Sequence, residues 1–132
     1  VEQELRREVK AAIADGYTCF ISGFADGVDL IFAAIVAEQK EFFQELFLEA
    51  AIPYAGRLKT KNQQFHKLLS ACNGIKVECQ KYSPSCFRQR NRYMVAKSQR
   101  VIAVYDGRKR GGTATTLRYA YYMGREVREI KI

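Results

Sequence analysis

Apolar residues at helical spacing open the chain. Leu5, Val9, Ala12 and Ile13 share one face of residues 2–15, while Glu2, Glu4, Arg6, Arg7 and Lys10 lie mostly off it, which predicts an amphipathic helix. Gly16 is placed to stop that helix. Tyr17 to Ser22 is a short run of β-formers and predicts a buried strand. A turn over 23–27 leads into a helix that starts at Asp26 or Gly27 and runs to about Lys40, with Val28, Ile31, Phe32, Ile35 and Val36 as its apolar side. Residues 45–52 (ELFLEAAI) fit either period. The segment is short and Pro53 follows, so a strand closed by that proline is expected.

Residues 53–61 read as a polar loop. Phe65, Leu68, Leu69 and Cys72 then mark a helix over 62–72, with Gly74 as its stop signal. Residues 75–78 form a brief strand and 81–86 a loop in which Ser85 is placed as an N-cap. A helix over 87–97 carries Tyr93, Met94 and Val95. The clearest strand, RVIAVY, spans 100–105. A basic, glycine-bearing loop over 106–112 precedes a helix over 113–123, and residues 126–132 form a last strand. Strict alternation of helices and strands predicts an α/β three-layer sandwich, with helices on both faces of a mostly parallel sheet. A chain of this class ordinarily opens on a strand, so a first strand ahead of residue 1 is expected.

The 132 residues predict one domain, which at this size buries about two thirds of its unfolded surface. No run of 18 apolar residues exists, so no membrane span is expected. The cysteines are Cys19, Cys72, Cys79 and Cys86. They contain no CxxC pair, and they read as reduced thiols of a cytoplasmic protein rather than metal ligands. The formal net charge is +8, and the excess gathers from Lys81 onward: Arg88, Arg90, Arg92, Lys97, Arg100, Arg108, Lys109, Arg110 and beyond. A basic domain attracts phosphates, whether on a small nucleotide or along a nucleic-acid backbone.

Two turns fall where open α/β sheets bind ligands, beyond the carboxyl ends of strands and at the start of helices. The first is Ser22-Gly23-Phe24-Ala25-Asp26-Gly27-Val28-Asp29. Its glycines permit a tight bend and close approach to backbone amides, and the helix start after it offers unpaired N–H groups. The second is Asp106-Gly107-Arg108-Lys109-Arg110-Gly111-Gly112-Thr113, in which glycines, three cations and an N-cap threonine coincide. Neither contains a P-loop or a GxGxxG fingerprint. Arg90, beside Asn91 at the start of a helix, has the fork geometry for a phosphate. His66, the one histidine, has no acid or nucleophile near it in sequence. Asp26, Asp29 and Asp106 are the carboxylates at strand ends.

In order, DGYTCFISGFADGVDL, AAIPYAG, RNRYMVAKSQRVIAVYDG and GGTATTLRYAYYMGREV resemble the YpsA-like proteins, a family of unknown function in the SLOG superfamily, which also holds DprA and the LOG phosphoribohydrolases. The resemblance covers nearly the whole chain. It implies a Rossmann-like fold and a pocket for nucleotides or their derivatives, built from Ser22, Gly23, Gly27, Asp29, Arg90, Asn91, Asp106, Gly111, Gly112 and Thr113. Family members usually begin with a strand and a Gly-His-Arg-like turn that lines the same pocket, and this sequence has no such stretch. Many also carry a Glu in the helix after the first turn, where this chain has Phe32-Ala33-Ala34-Ile35. The LOG enzymes carry a Glu shortly after their GGxGT loop, whereas here Thr115, Thr116, Leu117 and Arg118 follow and the next carboxylate is Glu126. That argues against phosphoribohydrolase chemistry.

Three functions are expected in descending order. The first is a binding or sensor domain for a nucleotide or nucleotide-derived phosphate ligand. The second is a DprA-like nucleic-acid-binding module, although no aromatic platform stands out, since Tyr119, Tyr121 and Tyr122 fall at mixed positions of a helix. The third is a hydrolase of an N-glycosidic or phosphate bond, using the strand-end aspartates. No catalytic residue, metal or cofactor is assigned, and homodimers are compatible with the fold class.

Overall fold

A computed structural model describes residues 1–132. Helix α1 (Glu2–Ala14) leads to strand β1 (Cys19–Ser22), followed by α2 (Val28–Gln39), β2 (Phe47–Tyr54), a 3-10 helix (Ala55–Lys59) and α3 (Gln63–Ser70). Then come β3 (Gly74–Cys79), α4 (Cys86–Lys97), β4 (Arg100–Tyr105), α5 (Gly112–Tyr122) and β5 (Glu126–Lys131). All three strand pairings are parallel, as alternation of the elements predicts. The strands form two sheets rather than one: β1-β2-β3 and β4-β5.

The two faces are distinguished along β2, where side chains alternate. Leu48, Ala50 and Ile52 enter a core with Leu5 and Val9 of α1, Leu30, Ala33 and Val36 of α2, and Phe65 of α3. Glu49 points the other way and accepts a 2.6 Å hydrogen bond from Tyr93 of α4. Helices α1, α2 and α3 therefore cover one face, and α4, packed beside α5, covers the other. This is the three-layer α/β arrangement expected of a Rossmann-like fold.

Helix α1 ties the two sheets together. Ile130 of β5 joins the same core as Leu5 and Val9. Arg100 at the start of β4 donates to Asp15 at 2.6 Å and to Glu126 of β5 at 3.3 Å. Arg128 of β5 reaches Glu8 of α1 at 3.4 Å. Between the sheets, β1 and β4 each have a strand partner on one side only. All six residues of β4 are half-exposed, although its sequence is that of a fully buried strand.

Pro53 does not close β2, contrary to the sequence expectation. The strand runs on to Tyr54 because β1 has already ended: its last partner is Ala50. Beyond that point β2 pairs only with β3, through Ile52 with Val77 and Tyr54 with Cys79, so a residue without an N–H is tolerated at position 53. Thr113 does not cap α5 either. Gly111 occupies the N-cap with φ +111°, its carbonyl accepts from Thr115 at 3.1 Å, and Thr113 is the second helical residue. Such a φ is costly for any residue with a Cβ, which gives glycine the position. Ser85 does stand at the N-cap of α4, but its hydroxyl accepts from Gln89 at 2.8 Å instead of from a backbone amide.

Candidate ligand site at the carboxyl rim

Strand β1 ends at Ser22, which is buried and closes the first turn on itself. Its hydroxyl donates to the carbonyl of Asp29 at 2.9 Å and accepts from the N–H of Phe24 at 3.2 Å. The Asp29 carboxylate accepts from Ala25 N–H at 3.1 Å. Ser22 and Asp29 thus hold the loop's shape through three hydrogen bonds. Phe24 sits at φ +54° with its ring fully buried, edge-on to Phe65 with centroids 5.5 Å apart. A non-glycine residue in this region costs about 1–3 kcal/mol, and ring burial offsets part of that. Gly27 is the N-cap of α2.

A second set of contacts clamps the turn from outside. Arg57 donates to the Phe24 carbonyl at 3.1 Å and to Asp26 at 3.0 Å, and Asn62 also donates to Asp26 at 3.0 Å. These partners hold the Asp26 carboxyl below its ordinary pKa. Neither Arg57 nor Asn62 stands out in the sequence, because their meaning depends on a contact more than 30 residues away.

Arg90 is buried beneath the turn. Its Nη1 donates to the Gly23 carbonyl and, at 3.2 Å, to the Ala51 carbonyl, and its Nε donates to Asn91 Oδ1 at 2.8 Å. Nη2 makes no hydrogen bond within the chain. Burial is the largest influence on both charged groups here: it pushes the Asp29 carboxyl up and the Arg90 guanidinium down, each partly offset by the other's charge. Gly23 is a matter of space. A Cβ there would lie 2.8 Å from Asp29 Oδ2 and 2.9 Å from Arg90 Nη1.

The second turn leaves β4. Asp106 accepts from the Arg108 N–H at 3.1 Å and from its Nε at 2.8 Å, which lowers its carboxyl pKa. Tyr105 donates its hydroxyl to the Arg108 carbonyl, and Arg118 holds the Lys109 carbonyl at 3.1 Å. Lys109 and Arg110 form no ion pair. Gly111, Gly112 and Thr113 are exposed at the start of α5.

One cavity of about 1210 Å³ takes in both turns. Ser22, Gly23, Val28 and Asp29 line it from the first, Gly112 and Thr113 from the second, and Arg90 and Asn91 from α4. It continues between β1 and β4 along Cys19–Ser22 and Val101–Val104. A smaller hollow of about 240 Å³ shares Gly112 and Thr113 with it and is lined also by Asp106, Arg108, Arg110 and Gly111. Gly27 and Asp26 stand outside both. His66, which contacts the Thr60 carbonyl at 2.6 Å, lines neither.

Residues 1–130 match the YpsA family model, described as the YspA SLOG family. The chain belongs to this family. The curated relatives it matches include UPF0398 proteins of Bacillus thuringiensis (strain Al Hakam), Bacillus cereus (strain AH187) and Bacillus cereus (strain Q1). Each is 29% identical over 117 residues, which is 84% of this chain and 64% of the relative. The SLOG chain thus spans less than two thirds of the length of those relatives.

Within this SLOG chain, the structure brings Ser22, Gly23, Asp29, Arg90, Asn91, Gly112 and Thr113 to one cavity. Asp106 and Gly111 face the adjoining hollow. Sequence reasoning missed Phe87 and Thr116, which also line the cavity. Their only sequence signal is position: each falls in the first turns of a helix that begins at the carboxyl rim.

Proposed function

We propose that this chain is a binding or sensor domain for a nucleotide or nucleotide-derived phosphate ligand. The observation that carries this reading is the single cavity that reaches both the Gly23 turn and the Gly112–Thr113 helix start. The amides that open α5 have no partner within their own helix and meet the positive end of its dipole, so a phosphate is stabilised there. Lys109 and Arg110 add positive charge, and the formal net charge of +8 favours anionic ligands generally. Asp29 accepts a ribose hydroxyl at the other end, and Arg90 contributes its unpartnered Nη2. At about 1210 Å³ the cavity exceeds the range of about 300–1,000 Å³ that small-ligand sites usually occupy, so a nucleotide fits within it with room to spare. Membership of the SLOG family supports a nucleotide-related role.

Isothermal titration with ADP and ribose 5-phosphate tests the reading, using the chain and its Gly112→Pro variant. Proline is tolerated at the first position of a helix, and it removes one N–H from the phosphate cradle without breaking α5. Binding by the chain, and its loss in a folded Gly112→Pro variant, supports the proposal. Absence of binding to either compound overturns it.

A further inference from the structure

Three aromatic side chains from separate elements meet at the carboxyl rim. Tyr54 ends β2, Tyr82 stands in the loop after β3, and Phe87 lies in the first turn of α4. The Tyr54 ring is the hub: its centroid is 5.3 Å from Tyr82 at 88° and 6.1 Å from Phe87 at 73°. Tyr54 is half-buried, whereas Tyr82 is 61% exposed and Phe87 43% exposed. Edge-to-face packing on a fixed hub orients the two outer rings and lowers the entropy lost when something stacks on them. Neither outer ring belongs to the hydrophobic core.

Two further observations say what such a surface accepts. Phe87 lines the same cavity as Gly112 and Thr113, so an object lying on it is within the space that reaches the α5 helix start. The flanking residues are cationic: Lys81 and Arg88, next in sequence to Tyr82 and Phe87, are exposed and form no ion pair. Arg90 also lies 5.9 Å from the Phe87 ring centroid, which leaves positive charge behind the ring. An apolar protein partner would be poorly served by this surround, and a flat heteroaromatic ring that carries phosphate would be well served.

We infer that Tyr82 and Phe87 form a stacking platform for the base of a nucleotide, either free or within a single strand. The inference rests on the proposed phosphate site and adds the base-recognising element to it. Loss of base-on-aromatic stacking weakens binding by roughly 5- to 150-fold per base. The Phe87→Leu, Tyr82→Ala double variant removes both aromatic faces, while Leu keeps an apolar side chain at position 87.

The test titrates the chain and the double variant with ADP, with ribose 5-phosphate, and with an oligothymidylate of about ten nucleotides, within the usual site-size range. Circular dichroism melts confirm that both proteins are folded. The expected result is at least about a fivefold weaker affinity of the double variant for ADP or for the oligonucleotide, with ribose 5-phosphate bound as before. A loss confined to ADP assigns the platform to free nucleotides, and a loss confined to the oligonucleotide assigns it to a strand. Equal ADP and oligonucleotide affinities in the two proteins overturn the platform while leaving the phosphate site standing. No binding of any of the three by the unaltered chain overturns both.

Discussion

The guanidinium of Arg90 donates to the carbonyl of Gly23, 67 residues earlier in the chain. This bond joins the first turn of the candidate site to α4 on the opposite face of the sheet. The same nitrogen also reaches the Ala51 carbonyl in the middle of β2, so one buried cation ties the turn after β1 to the neighbouring strand. Replacing Arg90 with Met leaves both carbonyls without this donor. Each hydrogen bond to a charged group is worth about 1.5–3 kcal/mol, so we expect Arg90→Met to cost about 3 kcal/mol in urea unfolding. A cost below about 0.5 kcal/mol, the range of ordinary surface changes, would show that Arg90 does not organise the turn.

Gly23 is constrained by the same cluster. The methyl group of Gly23→Ala would press on Asp29 and Arg90 at distances that real Cβ contacts do not reach. We expect a loss of about 1–3 kcal/mol, the usual penalty of overpacking, read as a lower Tm. Unchanged melting would mean that the turn is roomier than described.

Asp29 makes stability depend on pH. Burial raises its folded-state pKa above the ordinary 3.8, against the smaller opposing effects of the Ala25 amide and Arg90. The folded protein therefore holds the Asp29 proton more tightly than the unfolded chain. Asp29 favours the fold below the ordinary value, and that contribution is lost as pH rises from there through the raised value. Asp29→Asn removes this slope. The stability of the variant minus that of the unaltered protein should rise in the variant's favour from about pH 3 to about pH 6. Parallel curves across that interval would contradict the raised pKa.

The facing edges of β1 and β4 have no strand partner. Amides of β4 that point into the cavity should exchange with solvent as loop amides do, while those bonded to β5 and those within β2 stay protected. Hydrogen exchange followed by NMR reads this residue by residue. Uniform protection along β4 would contradict the open edge.

Much of this fold was legible in the sequence, because helical and strand periods alternate cleanly. Leu5, Val9 and Ala12 mark the buried face of α1, and RVIAVY is β4 to the residue. The failures have local causes. The strand continues through Pro53 because a neighbouring strand stops at Ser22, a fact of register that no property of residues 45–53 carries. Thr113 is a good cap by type, but the glycine two residues before it adopts the conformation the helix start requires. At the site, glycine turns and helix starts were readable from their order along the chain. The Arg57 clamp and the Tyr54–Tyr82–Phe87 cluster were not, because each is assembled from separate elements. Tyr119, Tyr121 and Tyr122 follow one another along α5, whereas the aromatic cluster draws on a strand, a loop and a helix.

The most direct test follows backbone amide shifts while ADP is titrated into the isotope-labelled chain. We predict that amides of Gly23 to Val28 and of Gly111 to Thr113 shift together, along curves that fit one dissociation constant. Movement of one turn while the other stays still, or two turns that saturate at unrelated concentrations, would contradict a shared ligand.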